Sequence, residues 1–165
     1  MPIVWHVIQL YAIQGFSRFV LATGYRGASI ERFVGAEAWP TGVSVACVDT
    51  GAETNTGGRL KLLESQLDGG RFCVTYADGV ADIDLEALLR FHDRHRALAT
   101  MTVVRPRLYL DTDSVLERAP LERLAGEGQL RAYRHEGFWD CMDTYKDAVE
   151  LNDLWAAGDA PWRRW

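Results

Sequence analysis

Three short stretches hold residue types from which phosphate or metal chemistry can be built. Val48-Asp49-Thr50-Gly51, running into Asn55-Thr56-Gly57-Gly58-Arg59-Leu60-Lys61, is a glycine-bearing loop that leads into a helix. Such a loop lets backbone N–H groups approach a base or phosphate, and a helix N-terminus favours negative charge. The same pattern also suits a plain strand-to-helix turn. In Thr75-Tyr76-Ala77-Asp78-Gly79-Val80-Ala81-Asp82, Asp78 falls at the expected C-terminal end of an apolar strand. Ligands of open α/β sheets sit at that edge, where a carboxylate can hold Mg²⁺ against a phosphate; Asp78 or Asp82 can equally cap the next helix. Gly137-Phe138-Trp139-Asp140-Cys141-Met142-Asp143-Thr144 ends in an acid at a predicted helix start, so Asp143 is either a second metal ligand or an N-cap.

His6, His92, His95 and His135 show no spacing for a shared metal site. His92 and His95 lie three apart on a predicted helix, but no third ligand is near them, so solvated or core-edge roles are expected for all four. Trp155, Trp162 and Trp165 gather at the end of the chain and read as packing or a subunit contact rather than a base-stacking platform.

The elements that must position these residues alternate between strand and helix. Apolar spacing predicts a helix over Ile3–Ile13 with Gly15 as its stop, a strand at Phe19–Thr23 and a helix through Ala28–Val34. A strand at Val43–Val48, a loop over Asp49–Gly58 and a helix at Arg59–Leu67 follow. Phe72–Tyr76 reads as a buried strand, Leu85–Ala97 as a helix and Ala99–Val104 as a strand. Beyond Pro106, Arg107–Ser114 reads as strand and turn, Leu116–Glu127 as a helix and Leu130–Arg134 as a short strand. Asp143–Ala157 closes the pattern as a helix capped by Asp143 or Thr144. This alternation implies an α/β domain with a largely parallel sheet. No internal repeat or linker-like shift divides the 165 residues, so a single domain over 1–165 is expected.

Composition narrows the partners. A 48% hydrophobic, 25% charged chain is globular, and its net charge of −5 disfavours a nucleic-acid footprint, which needs clustered Lys and Arg. Cys47, Cys73 and Cys141 are odd in number and lack ligand spacing, which fits a reducing, cytoplasmic setting. No apolar run reaches the roughly 18 residues needed to cross a bilayer, so no membrane partner is expected.

Taken in order, Ile3-Val4-Trp5-His6-Val7, Ala22-Thr23-Gly24-Tyr25-Arg26-Gly27, Val48–Gly51, Thr56–Lys61, Thr75–Gly79, Phe138-Trp139, Met142-Asp143-Thr144 and Pro161-Trp162 resemble the sugar-nucleotide pyrophosphorylase family, and within it the glucose-1-phosphate cytidylyltransferases. The similarity covers roughly residues 2–34, 45–104 and 117–165. It implies a Rossmann-like nucleotide-diphospho-sugar transferase fold, truncated, with a mostly parallel mixed sheet flanked by helices. It also implies a nucleotidyltransferase reaction in which CTP and glucose 1-phosphate give CDP-glucose and pyrophosphate. By position, Asp78 and Asp143 match the family's Mg²⁺ aspartates, and Gly57, Gly58 and Arg59 match a segment beside the nucleotide base. Ala77 departs from the family's usual glycine.

The resemblance also marks gaps. The family's opening strand, its Gly-rich triphosphate loop and a Lys-Pro-Lys-Pro run would lie before Met1. A longer insertion is missing around Gly35–Ser44, and a Glu-Lys-Pro motif with a Gly-Gly sugar-binding strand around Arg105–Asp113. These losses imply that transferase activity is lost or altered, or that the scaffold has become a non-catalytic binding protein or an enzyme of different chemistry. A nucleotide or nucleotide sugar is the expected ligand and a homo-oligomer the expected assembly. Strand 19–23 is expected to pair with strand 72–76, unless another subunit fills the gap left by the central strand.

Overall fold

The computed structural model describes residues 1–67, 70–103 and 125–165. The predicted Arg107–Ser114 strand lies outside the described residues, as does most of the predicted Leu116–Glu127 helix. Contacts divide the chain into two compact units, Tyr11–Ala77 and Met1–Leu10 with Asp78–Trp165. Each is described by itself.

In the Tyr11–Ala77 unit, β1 (Arg18–Thr23) and β2 (Ser44–Asp49) are joined by α2 (Gly27–Ala36). The two strands run parallel, with Phe19 opposite Val45, Leu21 opposite Cys47 and Thr23 opposite Asp49. A helical crossover between parallel strands is the repeating unit of Rossmann-like folds. The next helix, α3 (Thr56–Leu62), starts three residues before the predicted Arg59 and takes Gly57 and Gly58 into its first turn. It runs into a single 3₁₀ turn at Glu64–Gln66, next to the buried Leu63.

The segment Phe72–Tyr76 departs from expectation. It forms no strand, and among the described residues β1 pairs with β2 rather than with this run. Its apolar composition satisfies a strand pattern, but a ladder also needs a partner edge. Phe72 and Val74 are 49% and 59% exposed instead of lying in a core.

In the second unit, α1 (Ile3–Ala12) buries His6 through Leu10. The ring of His6 meets Trp155 edge-on, with centroids 4.5 Å apart. It also accepts a long contact from Trp162 Nε1 at 3.5 Å, and Trp162 stacks on Phe138 at 5.4 Å. Trp155 and Trp162 are therefore packing residues, while Trp165 stays 38% exposed. β4 (Ala99–Val103) pairs in parallel with β5 (Leu130–Arg134), and α4 (Leu85–His95) lies against them through Phe91 on Tyr133 and through His92 Nδ1, 2.8 Å from Thr100 Oγ1.

A third pairing was not visible in the sequence. β3 (Gly79–Ala81) and β6 (Trp139–Cys141) form an antiparallel ladder of three residue pairs. Asp78 thus precedes β3 instead of ending a strand. The last helix, α5 (Tyr145–Ala157), is capped by Thr144 in a reciprocal box with Asp147. The chain is mixed α/β, with parallel strand pairs flanked by helices, as a Rossmann-like fold requires. Among the described residues the strands form three separate pairs.

Candidate functional site

The β3–β6 ladder carries two of the expected acids to one of its ends. Gly79 faces Cys141, and just beyond that pair the Met142 N–H donates to the Asp78 carbonyl at 2.7 Å. Asp78 and Asp143 are both exposed and flank this end of the ladder. Neither is used as a helix cap. Asp84, not Asp78 or Asp82, caps α4 by accepting from Ala87 N–H at 2.8 Å, and Thr144, not Asp143, caps α5.

Cys141 reports the charge that collects there. Its thiol donates to Asp143 Oδ2 at 3.2 Å. Burial, the bond to Asp143 and the charges of Asp143, Asp140 and Asp78 push its pKa up to about 12. Three carboxylates around one thiol make a negative pocket that a cation would relieve. Hard oxygen donors suit Mg²⁺, which binds through one or two carboxylates and completes its shell with water and substrate phosphate. Among the described residues no group of three or more His, Cys, Asp or Glu side chains is arranged to hold a metal unaided. Two exposed carboxylates could supply part of a cation's shell, with water or a phosphate ligand supplying the rest. Such an ion would neutralise developing phosphate charge.

The other expected residues lie in the Tyr11–Ala77 unit. Arg59 folds back over the C-terminal ends of β1 and β2. Its Nη1 donates to Thr23 O at 2.9 Å and to Thr50 Oγ1 at 2.6 Å, and its Nη2 to Ala52 O at 3.3 Å. Thr50 itself donates from Oγ1 to Thr23 O at 2.8 Å and from its backbone at 2.9 Å. Gly24 makes room for this arrangement: a β-carbon there would lie 2.7 Å from Gly51 O and 2.9 Å from Arg59 Nη1. Gly58 is similarly close to Thr54, whereas Gly57 faces open space. Arg59 thus ties together the edge where α/β sheets place ligands, a role that its position in the sequence did not reveal.

A second feature escaped the sequence reading. His135 Nε2 lies 2.8 Å from Asp82 Oδ1 and 3.1 Å from Phe138 O. Spacing alone cannot join two residues so far apart in the chain.

No protein-family model matches the sequence. Among individual proteins, the chain is similar to the glucose-1-phosphate cytidylyltransferase of Salmonella typhimurium, 31% identical in an alignment that covers 99% of this chain and 88% of the relative. The probable glucose-1-phosphate cytidylyltransferase of Bacillus subtilis is 27% identical, with the same coverage. A mannose-1-phosphate guanyltransferase of Gibberella zeae is 30% identical over 106 residues, 63% of this chain and 29% of the relative. With similarity running through nearly all of its length and most of the bacterial relatives', the chain belongs to the glucose-1-phosphate cytidylyltransferase family.

Proposed function

We propose that this chain is a nucleotidyltransferase-like protein that binds a cytidine nucleotide or CDP-sugar together with Mg²⁺, with conversion of CTP and glucose 1-phosphate to CDP-glucose lost or strongly reduced. The observation that carries the binding half is the meeting of Asp78 and Asp143 across the β3–β6 ladder. The bacterial cytidylyltransferases supply the ligand class.

A shortage of lysine within these residues supports the proposed loss of turnover. Phosphoryl transfer depends on cationic side chains that align and neutralise the phosphates, each contributing several kcal/mol in the transition state. Only Lys61 and Lys146 occur in the 165 residues. Both are exposed and face glutamates, Lys61 at 2.6 Å from Glu64 and Lys146 at 3.5 Å from Glu150. Arg59 is engaged by Thr23, Thr50 and Ala52.

The test pairs calorimetry with a pyrophosphate-release assay. Mg²⁺-dependent binding of CTP or CDP-glucose with little or no pyrophosphate release supports the reading. Absence of binding overturns it, and turnover at ordinary enzyme rates overturns the loss of activity.

A second copy of the chain is the partner assigned to the exposed Phe72–Tyr76 run, whose Phe72 and Val74 side chains stand in solvent. Light scattering tests this. A dimer that dissociates in Val74→Lys supports it, and a monomer at all concentrations removes it. Among the described residues, no helix is long and apolar enough to cross a membrane.

A further inference from the structure

The two ends of the β3–β6 ladder are finished differently. One end carries Asp78, Met142 and Asp143. At the other, Asp82 N–H donates to Phe138 O at 3.0 Å, and side chains close over that bond. His135 Nε2 approaches both Phe138 O, at 3.1 Å, and Asp82 Oδ1, at 2.8 Å. Both neighbours are acceptors, so Nε2 carries the proton. The His135 side chain is 9% exposed and that of Asp82 25%. Asp82 Oδ1 is fully enclosed, and no donor points squarely at it, which leaves the imidazole beside it as its close polar contact. Gly137 lies against the same carboxylate, where any β-carbon would overlap Asp82 Oδ1.

Three residue pairs are too few to fix a register unaided, and a slip of one residue would turn every side chain of β6 to the opposite face. In the observed register Asp78 faces Met142, and such a slip would set it against Cys141 or Asp143 instead, changing how the two acids stand to each other. Asp82 follows β3 directly, while His135, Gly137 and Phe138 belong to the segment entering β6. Contacts among them therefore read both strands at once.

We propose that Asp82, His135 and Gly137 form a register clasp whose role is to position Asp78 beside Asp143. Its consequence for cation binding rests on the functional reading given above; its consequence for the ladder does not. These three are positioning residues, acting through backbone pairing rather than by touching the cation.

The experiment uses the full chain and two variants, Asp82→Ala, which removes the carboxylate, and His135→Phe, which fills the ring's space without the Nε2 donor. Asp82→Asn keeps an acceptor oxygen in the same shape and serves as the rescue. Two quantities are measured: hydrogen exchange of the Met142 and Asp82 amides without metal, and Mn²⁺ affinity by water-proton relaxation. The clasp predicts that Met142 protection and Mn²⁺ affinity each fall about tenfold or more in Asp82→Ala and His135→Phe. It predicts that both stay within about threefold of wild type in Asp82→Asn. Loss of protection at Asp82 alone, with Met142 exchange and Mn²⁺ binding unchanged, marks a local structural role and overturns the proposal. If the unmodified chain fails to bind Mn²⁺ alone, Met142 exchange decides the clasp, and the functional reading, which pairs the ion with a phosphate ligand, stands or falls on the CTP calorimetry. If one variant does not fold, the other carries the decision.

Discussion

The Met142 N–H donates to the carbonyl of Asp78 at 2.7 Å, joining the residue next to one acid to the backbone of the other. That interstrand bond brings two acids from distant parts of the sequence to the same end of the ladder. Their exposure leaves them able to meet a solvated cation without a large desolvation cost.

Asp78→Asn and Asp143→Asn are each expected to weaken Mg²⁺-dependent nucleotide affinity about tenfold or more, since each removes one hard charged donor of a pair. Both side chains are exposed, so thermal midpoints should move little. Calorimetry with CTP, with and without Mg²⁺, checks the first expectation and a melting curve the second. Equal affinity in wild type and both variants would remove these acids from ligand binding.

Arg59→Met should destabilise the Tyr11–Ala77 unit by about 1.5–3 kcal/mol, the range for hydrogen bonds from a charged group, because Thr23 O, Thr50 Oγ1 and Ala52 O lose a shared donor. Urea unfolding reads this out. A side chain serving a ligand alone would leave the unfolding midpoint unchanged.

Gly24→Ala tests the close approach at the same edge. The added methyl would press on Gly51 O and the Arg59 guanidinium, for a cost of about 1–3 kcal/mol. Gly57→Ala, facing open space in a helix, should be neutral or mildly stabilising. Comparing the two melting temperatures separates a steric requirement from ordinary helix propensity.

His6 makes stability depend on pH. Burial, followed by the nearby N-terminal charge, lowers its pKa from 6.5 to about 4. In the window between those values the unfolded chain holds a proton that the folded chain excludes, so stability rises with pH. The contribution is complete above about pH 6.5 and is lost as pH falls toward 4. Its size is up to about 2 kcal/mol, below the full linkage value because solvent screens part of the field. Urea midpoints at pH 7 and pH 5 should differ accordingly, and His6→Gln should flatten that part of the difference.

Periodicity located α1, α2, α4 and α5 because each carries an apolar stripe, and it located β1, β2 and β4 because each is a bounded, mostly apolar run; β5, with two arginines in five residues, follows from a looser pattern. It missed β3 and β6, which have three residues each and include a glycine and an aspartate. It misjudged Phe72–Tyr76, where composition says strand but pairing decides. Asp78 and Asp143 could be named from the sequence through family resemblance, yet their approach depends on the ladder that was missed. Arg59 was named for a ligand role, while its acceptors, two backbone carbonyls and a threonine hydroxyl, lie on segments whose convergence only the fold reveals. His135 was set aside for lack of a nearby ligand, and its neighbour Asp82 became visible only across the ladder.

The shortness of the β3–β6 pairing has a thermodynamic corollary. Asp78 and Asp143 become neighbours only after the long intervening stretch has closed, so an unfolded chain offers a divalent ion no comparable pair. An ion that prefers the closed form stabilises it by mass action, by about 2.7 kcal/mol at a hundred times its dissociation constant. In the proposed reading, magnesium would then add to the stability of the closed ladder as well as to what the site can hold.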